Sequence, residues 1–151
     1  MMIELQKSIE PKTRRNFEEF LTSGHTARVY EKGQLVFFSK KTGLLPLLEY
    51  LDKFTPPTKK TVVIFDKVVG NSAALLAILA GCSQVYSPLG SKLAVETLKK
   101  HDISYHFLEI VPYILRSDGR GMCPMEKLSL NKEPAEFYRL LKSQKNPEKQ
   151  K

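Results

Sequence analysis

The chain has 151 residues, of which 42% are hydrophobic and 26% are charged. These ordinary globular values exclude a mostly disordered chain, a collagen-like chain and a coiled coil. The longest strongly apolar stretch, residues 73–80, is far shorter than the ~20 residues that a membrane span needs. The first residues also lack the apolar segment of a signal peptide. The two cysteines, Cys82 and Cys123, suit a reducing compartment. We therefore expect a soluble cytoplasmic protein with no membrane partner.

The net charge of +8 is concentrated at the two ends of the chain. Residues 1–15 hold four basic and two acidic residues, and residues 142–151 hold four basic and one acidic. Binding to nucleic acid favours a basic stripe with interleaved aromatic residues, and the tail over 143–151 has no aromatic residue. We predict an N-terminal extension over 1–12, one domain over 13–142 and a basic, flexible tail over 143–151. A weak electrostatic contact of that tail is the alternative, and we expect no nucleic-acid partner.

Hydrophobic periodicity predicts the elements of the first half of the chain. A helix begins at Thr13, and Gly24 can end it. A hairpin then forms around a turn at residues 31–33. The two strands of this hairpin are predicted at 27–30 and 34–38. An amphipathic helix is predicted next, at 44–51. Residues 61–65 are a continuous apolar run, which is typical of a strand buried on both faces.

Helices and strands alternate through the second half. The helix predicted over 71–80 is apolar on all sides, which indicates a buried helix. Ser91 is the expected N-cap of the amphipathic helix that follows a short strand. The further predicted elements are strands at 84–87 and from Ile103, a helix beginning at Cys123, and a helix at 134–141. Because strands joined by ~10-residue helices pair in parallel, we predict an α/β fold. Its form is a three-layer α/β/α sandwich with about five strands, the first antiparallel to the rest.

Two loops are expected at the carboxyl edge of this sheet, where open α/β folds bind ligands. In the first loop, Asp66 ends a buried strand and a helix begins within a few residues. The N–H groups of a helix start can hold an anion, Gly70 permits close approach, and Lys67 adds positive charge. The alternative is that Asp66 only caps the helix and Lys67 is solvated.

The second loop contains Cys123, with glycines at 119 and 121 just before it. If Cys123 is an N-cap, Pro124 occupies the first helical position and Glu126 can reach back to the Cys123 N–H as in a capping box. A helix start and nearby positive charge favour the thiolate, which would make Cys123 an activated nucleophile. The alternative is a buried, inert cysteine, which is also our interpretation of Cys82.

Metal and nucleotide motifs are absent from the sequence. There is no Cys-x-x-Cys or His-x-x-x-His spacing, and the three histidines lie on different predicted elements. There is also no Gly-x-Gly-x-x-Gly, no Walker loop and no Gly-x-Ser-x-Gly. We therefore expect neither a metal nor a cofactor.

Two strings of residues are similar to a known family. They are Asp66-Lys-Val-Val-Gly70-Asn71-Ser-Ala-Ala and, further along, Gly121-Met122-Cys123-Pro-Met-Glu126. Together they resemble a bacterial and archaeal family, domain-of-unknown-function family eighteen-ninety-three, over roughly residues 17–141. The string Thr42-Gly43-Leu-Leu-Pro-Leu47 is similar to the beginning of the family's first helix. The family belongs to the cytidine-deaminase-like superfamily.

The resemblance implies a deaminase-like fold with a mixed five-stranded sheet of order 2-1-3-4-5, and such folds often form homodimers. It does not imply zinc chemistry. Zinc deaminases use His-x-Glu and Pro-Cys-x-x-Cys helix starts, whereas this chain has 43–45 Gly-Leu-Leu and 66–70 Asp-Lys-Val-Val-Gly at those places. The resemblance puts four side chains in the former active-site pocket: Asp66, Lys67, Cys123 and Glu126.

The hypothesis for function is a protein that binds a small nucleoside- or nucleobase-like molecule, or a zinc-independent enzyme of hydrolase or deaminase type. In the enzyme, Cys123 is the nucleophile and Asp66 or Glu126 the general acid or base. The expected ligand-binding residues are Gly43, Lys67, Gly70, Asn71, Gly121 and Met122. The alternative is a non-catalytic sensor that kept the pocket and lost the metal. A redox role for Cys123 alone is a third hypothesis, weakened by the lack of a resolving cysteine nearby in sequence.

Overall fold

Two helical layers enclose a six-stranded mixed sheet in the computed structural model, which describes residues 9–144. The helices are α1 Pro11–Thr22, α2 Leu45–Lys53, α3 Asn71–Leu79, α4 Lys92–Lys100, α5 Pro124–Ser129 and α6 Pro134–Ser143. The strands are β1 Ala27–Glu31, β2 Gln34–Ser39, β3 Val62–Asp66, β4 Val68–Val69, β5 Cys82–Ser91 and β6 Ser104–Val111. The predicted three-layer α/β/α sandwich is confirmed.

The sheet is built around β3 and β5. The strands follow the order β2-β1-β3-β5, and β6 forms the far edge against β5. Strand β1 is antiparallel to both β2 and β3, while β3, β4 and β6 all run parallel to β5. The antiparallel first strand is therefore as predicted.

The sheet differs from the predicted five strands by the short strand β4. After Asp66 the chain continues as β4 beside the end of β5, where Val68 aligns with Leu89 and Val69 with Gly90. This pairing exists because β5 is ten residues long and continues to Ser91. Its Pro88 and Gly90 are residues that normally argue against a strand interior, so the sequence predicted a strand that ended too early.

Alternating residues of the central strands build two separate cores. In β3, Ile64 belongs to the core under the larger helical layer, while Phe65 belongs to the core under α1. Phe65 packs edge-on against Phe17 of α1, with ring centroids 5.4 Å apart. Adjacent strand residues point to opposite faces of a sheet, so helices on both faces are needed to bury both cores.

Helix α3 is the central element of the larger helical layer. Its residues from Asn71 to Ala77 are all buried, and it packs against α2, α4, α5 and α6. The predicted all-round apolar helix is confirmed. The next helix, α4, begins at the predicted N-cap, because Ser91 accepts a hydrogen bond from the Ala94 N–H at 3.1 Å.

The ends of the described chain differ in part from the predicted boundaries. Helix α1 begins at Pro11, inside the predicted extension, and Ile9 is buried in the core under α1. The rest of the extension, residues 1–8, and residues 145–151 of the predicted tail lie outside the described residues. Within residues 9–144, no helix has the length and apolar character required to cross a membrane.

Candidate functional site

A cavity of about 280 Å³ lies where the carboxyl end of β3 meets the start of α3. The loop before α2 and the start of α5 complete its walls, and most of its lining is apolar. The lining residues are Thr26, Thr42, Gly43, Leu44, Asp66, Lys67, Val68, Gly70, Ser72, Ala73, Ile114, Cys123, Met125 and Glu126. The two loops singled out in the sequence therefore meet at one cavity, at the edge of the sheet where α/β folds bind ligands.

Asp66 brings a carboxyl group to this largely apolar space. Asp66 is only 7% exposed. The Val68 N–H donates to Asp66 Oδ1 at the long distance of 3.4 Å. Burial raises the pKa of Asp66 to about 8, and the backbone N–H groups of Val68 and Lys67 act in the opposite direction. Asp66 is therefore mostly protonated at neutral pH, so that it can both donate and accept a hydrogen bond.

Cys123 lines the same cavity, although it lies far from Asp66 along the chain. It is the N-cap of α5, with Pro124 at the first helical position, so this helix begins where the sequence predicts. The Cys123 side chain is half-buried and its thiol is free. Cys82 is completely buried, and burial raises its pKa to about 12, which confirms the interpretation of Cys82 as a core residue.

Glu126 does not form the predicted capping box with Cys123. The Cys123 N–H instead donates to the Ile114 carbonyl at 2.8 Å. The buried Glu126 carboxylate accepts the Asn71 N–H at 2.5 Å and the Ile114 N–H at 2.9 Å. The capping-box prediction is wrong because α3 and the loop at Ile114 offer N–H donors closer to this carboxylate. Glu126 lines the cavity while it holds three segments together.

Lys67 also has a structural partner that the sequence did not indicate. Its ammonium group donates to the Leu21 and Ser23 carbonyls at 3.3 and 3.4 Å. It also lies 4.9 Å from the ring centroid of Phe20. These carbonyls are at the end of α1, where a cation is favourable. Lys67 lines the cavity, but its charge is engaged by α1 rather than held free for an anion.

Three of the expected ligand-binding residues are not among those that line the cavity. The Asn71 amide group points into the helical layer and donates to the Ser129 carbonyl and hydroxyl at 3.1 and 3.0 Å. Gly121 and Met122 belong to a loop in which Met122 pairs with Leu115 in an isolated bridge. The placement of Asn71 follows from helix rotation, because α3 turns this side chain toward Ser129 and away from the cavity.

Gly43 and Gly70 do line the cavity as the sequence suggested. Gly43 has φ +62°, in the left-handed region that favours glycine. At Gly70, a Cβ atom would come within 2.7 Å of Glu126 Oε1 and 2.8 Å of Ile114 Cγ1. Gly70 is therefore required by the close approach of Glu126, whereas the sequence suggested the close approach of a ligand.

Most residues of the cavity wall were not predicted as site residues from the sequence. The polar residues among them are Thr26, Thr42 and Ser72, and the apolar ones are Leu44, Val68, Ala73, Ile114 and Met125. Ser72 could have been found, because it lies in the first turn of the helix that begins at this edge. Of the other residues, Thr26 and Ile114 lie outside the three strings that resemble the family, and the rest lie within those strings.

A second apolar cavity of about 470 Å³ adjoins the first. Val68 and Ile114 line both, so these two side chains separate the spaces. Within the described residues, no group of three or more His, Cys, Asp or Glu side chains is arranged to hold a metal ion. The side chains of the first cavity that carry polar or reactive groups are those of Thr26, Thr42, Asp66, Lys67, Ser72, Cys123 and Glu126.

The fold and the cavity define an α/β/α protein with a small, mostly apolar pocket at the carboxyl edge of its parallel strands. The chain belongs to the family described as TM1506: Domain of unknown function (DUF1893), whose model matches residues 16–144. A crystal structure of a DUF1893 family protein (TM1506) from Thermotoga maritima is similar, with a TM-score of 0.80 and 28% sequence identity. The alignment covers 90% of this chain and 92% of that one. No curated protein matches this chain.

Proposed function

We propose that this protein binds a small, flat, neutral molecule of nucleobase or nucleoside type in the cavity between Asp66 and Cys123. The observation that carries the proposal is the Asp66 carboxyl, which lines the cavity, is almost fully buried and has one long hydrogen bond from Val68. A buried polar group without strong partners is costly. A ligand with an adjacent hydrogen-bond donor and acceptor would satisfy it.

The walls and the size of the cavity support a ring-shaped ligand. Small-molecule sites combine mostly apolar walls with a few convergent polar groups. Leu44, Val68, Ile114 and Met125 supply such walls, and about 280 Å³ is room for one compact molecule. The resemblance to cytidine-deaminase-like proteins supports the same ligand class by analogy of fold. The cytoplasmic location expected from the sequence and the homodimer that the resemblance makes possible stay predictions.

The experiment is a thermal-shift panel of hypoxanthine, adenine, uracil and their nucleosides. At least one should stabilise the wild-type protein. Val68→Trp should abolish that shift, because Val68 is 42% exposed at the cavity wall and a larger side chain there would close the space. Val36→Trp is the matched control, since Val36 is 38% exposed on β2 and away from the cavity.

A panel without any shift would show that the ligand is not of nucleobase type. A shift that Val68→Trp leaves intact would place the binding site elsewhere on the molecule.

A second candidate function is zinc-independent catalysis with Cys123 as nucleophile. It is favoured by one observation: the half-buried Cys123 lines the same cavity as the mostly protonated Asp66. In this candidate, Cys123 Sγ attacks an electrophilic carbon of the bound ligand, and the bond from that carbon to the leaving group breaks. Asp66 gives its proton to the leaving group and then takes up the proton of the Cys123 thiol. Mass spectrometry of protein incubated with the stabilising ligand should then detect a covalent adduct, which Cys123→Ser lacks. Binding without an adduct would favour the non-catalytic sensor.

A further inference from the structure

Two backbone donors at the start of α3 are free within the part of the chain that the structure describes. The Asn71 N–H donates to Glu126 Oε1, and the Ala74 N–H donates to the Gly70 carbonyl at 3.0 Å. Between them, the N–H groups of Ser72 and Ala73 have no acceptor among residues 9–144. Both residues line the cavity, and the first N–H groups of a helix carry a partial positive charge.

The Ser72 hydroxyl is a third donor at the same place. Ser72 is 6% exposed, and its hydroxyl has no hydrogen-bond partner in the described residues. Every fully enclosed side-chain nitrogen or oxygen in that part of the chain has a partner. The Ser72 oxygen is therefore not fully enclosed, and the open space beside it is the cavity that Ser72 lines.

Three such donors define the group that they can bind. A carbonyl oxygen has two lone pairs and can accept several hydrogen bonds, whereas a ring nitrogen has one lone pair and an amino group would place donors against donors. A formal anion is disfavoured, because the Glu126 carboxylate already lies at this helix start and the Lys67 ammonium is bound at the end of α1. A neutral carbonyl oxygen satisfies these conditions.

We infer that the start of α3 is a subsite for the oxo group of a neutral heterocycle, held by the Ser72 and Ala73 N–H groups and the Ser72 hydroxyl. Asp66 then accepts the ring N–H beside that oxygen. The inference rests on the proposed function and narrows it, because it predicts that the site prefers oxo-substituted rings to their amino-substituted counterparts.

Titration calorimetry of the wild-type protein with hypoxanthine and with adenine tests this preference. The two purines have the same ring system, and hypoxanthine carries an oxo group where adenine carries an amino group. Hypoxanthine should bind at least about tenfold more tightly, which is the effect of one or two hydrogen bonds. Equal affinities, or tighter binding of adenine, would overturn the inference.

Ser72→Ala identifies the subsite itself. It should weaken the binding of hypoxanthine about fivefold to tenfold, as expected for one lost hydroxyl donor. The affinity for adenine should stay unchanged. Ser83→Ala is the matched control, since Ser83 is half-buried on β5, where its hydroxyl donates to the Val62 carbonyl. If Ser72→Ala leaves hypoxanthine binding intact, the oxo group lies elsewhere.

The outcomes also separate this inference from the proposed function. If both purines bind equally and Val68→Trp blocks both, the cavity is a ligand site but the oxo subsite is refuted. If neither purine binds and the wider panel gives no shift, the proposed function fails and the oxo subsite fails with it.

Discussion

Glu126 caps helix α3 at Asn71 from a position 55 residues further along the chain. Its two carboxylate oxygens accept one backbone N–H each, from Asn71 at 2.5 Å and from Ile114 at 2.9 Å. A buried carboxylate with two charge-assisted hydrogen bonds is a strong connection between segments. The cavity therefore depends on Glu126 for its shape, since Glu126 joins the start of α3, the loop at Ile114 and α5.

Glu126→Gln should destabilise the protein by about 1–3 kcal/mol. The amide NH₂ of glutamine would face one of the two N–H donors and leave it buried without an acceptor. Urea denaturation of the two proteins measures the change. Glu96→Gln on the exposed face of α4 is the control, and it should stay close to wild type. Equal stability of Glu126→Gln and wild type would contradict the capping role.

Gly70→Ala should lower the free energy of unfolding by about 1–3 kcal/mol, because an added Cβ would overlap Glu126 Oε1 and Ile114 Cγ1. The same change at Gly24 meets no atom within 4 Å, so Gly24→Ala serves as the matched control. Thermal unfolding of both variants provides the comparison. A loss in Gly24→Ala as large as that in Gly70→Ala would show that the close approach at Gly70 is not the cause.

The pH dependence of the free energy of unfolding should reveal the titration of Asp66. Its pKa is raised from 3.8 to about 8 by burial, so the folded state holds a proton that the unfolded state releases. The stabilising contribution of the protonated carboxyl is fully present below about pH 4. As the pH rises to about 8 this contribution is lost, and the free energy of unfolding falls by on the order of a few kcal/mol.

Asp66→Asn removes this titration. The difference in unfolding free energy between Asp66→Asn and wild type should grow in favour of the variant from about pH 4 to about pH 8 and then level off. Asp118→Asn, at an exposed carboxyl, should show no such trend. A difference that does not vary with pH would show that Asp66 is ionised in the folded protein.

Lys67→Met should lower stability by about 1 kcal/mol and leave ligand affinity unchanged. The ammonium group binds the carbonyls at the end of α1, while methionine retains the apolar stem along the cavity. Lys92→Met on the exposed part of α4 is the control. If Lys67→Met instead abolishes the binding of a panel ligand at unchanged stability, then Lys67 holds the ligand as the sequence analysis expected.

Alkylation of the native protein by iodoacetamide should modify one thiol. Cys123 is half-buried at the cavity, whereas Cys82 is fully enclosed and its pKa is raised to about 12. Peptide mass spectrometry should therefore locate the label on Cys123, and a bound ligand should slow the reaction. Labelling of Cys82 at a comparable rate in the folded protein would show that its enclosure opens readily.

The fold was largely predictable, because it follows from short-range patterns. The apolar run before Asp66 and the all-round apolar helix after Gly70 indicated parallel strands with buried crossovers, and the sandwich has them. Strand β4 was not predictable in this way. It has two residues and exists only because β5 continues past Pro88 and Gly90 to pair with it.

The site was predictable as a location and only partly as a set of contacts. Two loops at one edge of a parallel sheet must lie near each other, and Asp66 and Cys123 do line one cavity. The partners of Glu126, Lys67 and Asn71 depend on how helices rotate and on which distant N–H, carbonyl and hydroxyl groups these side chains meet. Sequence spacing carries no information on those contacts.

Backbone amide NMR during a titration with hypoxanthine tests most directly whether the cavity at α3 is a binding site. The amide signals of Ser72 and Ala73 should move most, with Asp66 and Gly70 next, because a carbonyl oxygen would accept hydrogen bonds from the first pair. Shifts centred instead on the amides of Val111 and Tyr113, which line the second cavity and not the first, would place the ligand there. A spectrum unchanged at saturating hypoxanthine would show that the cavity does not bind this class of molecule.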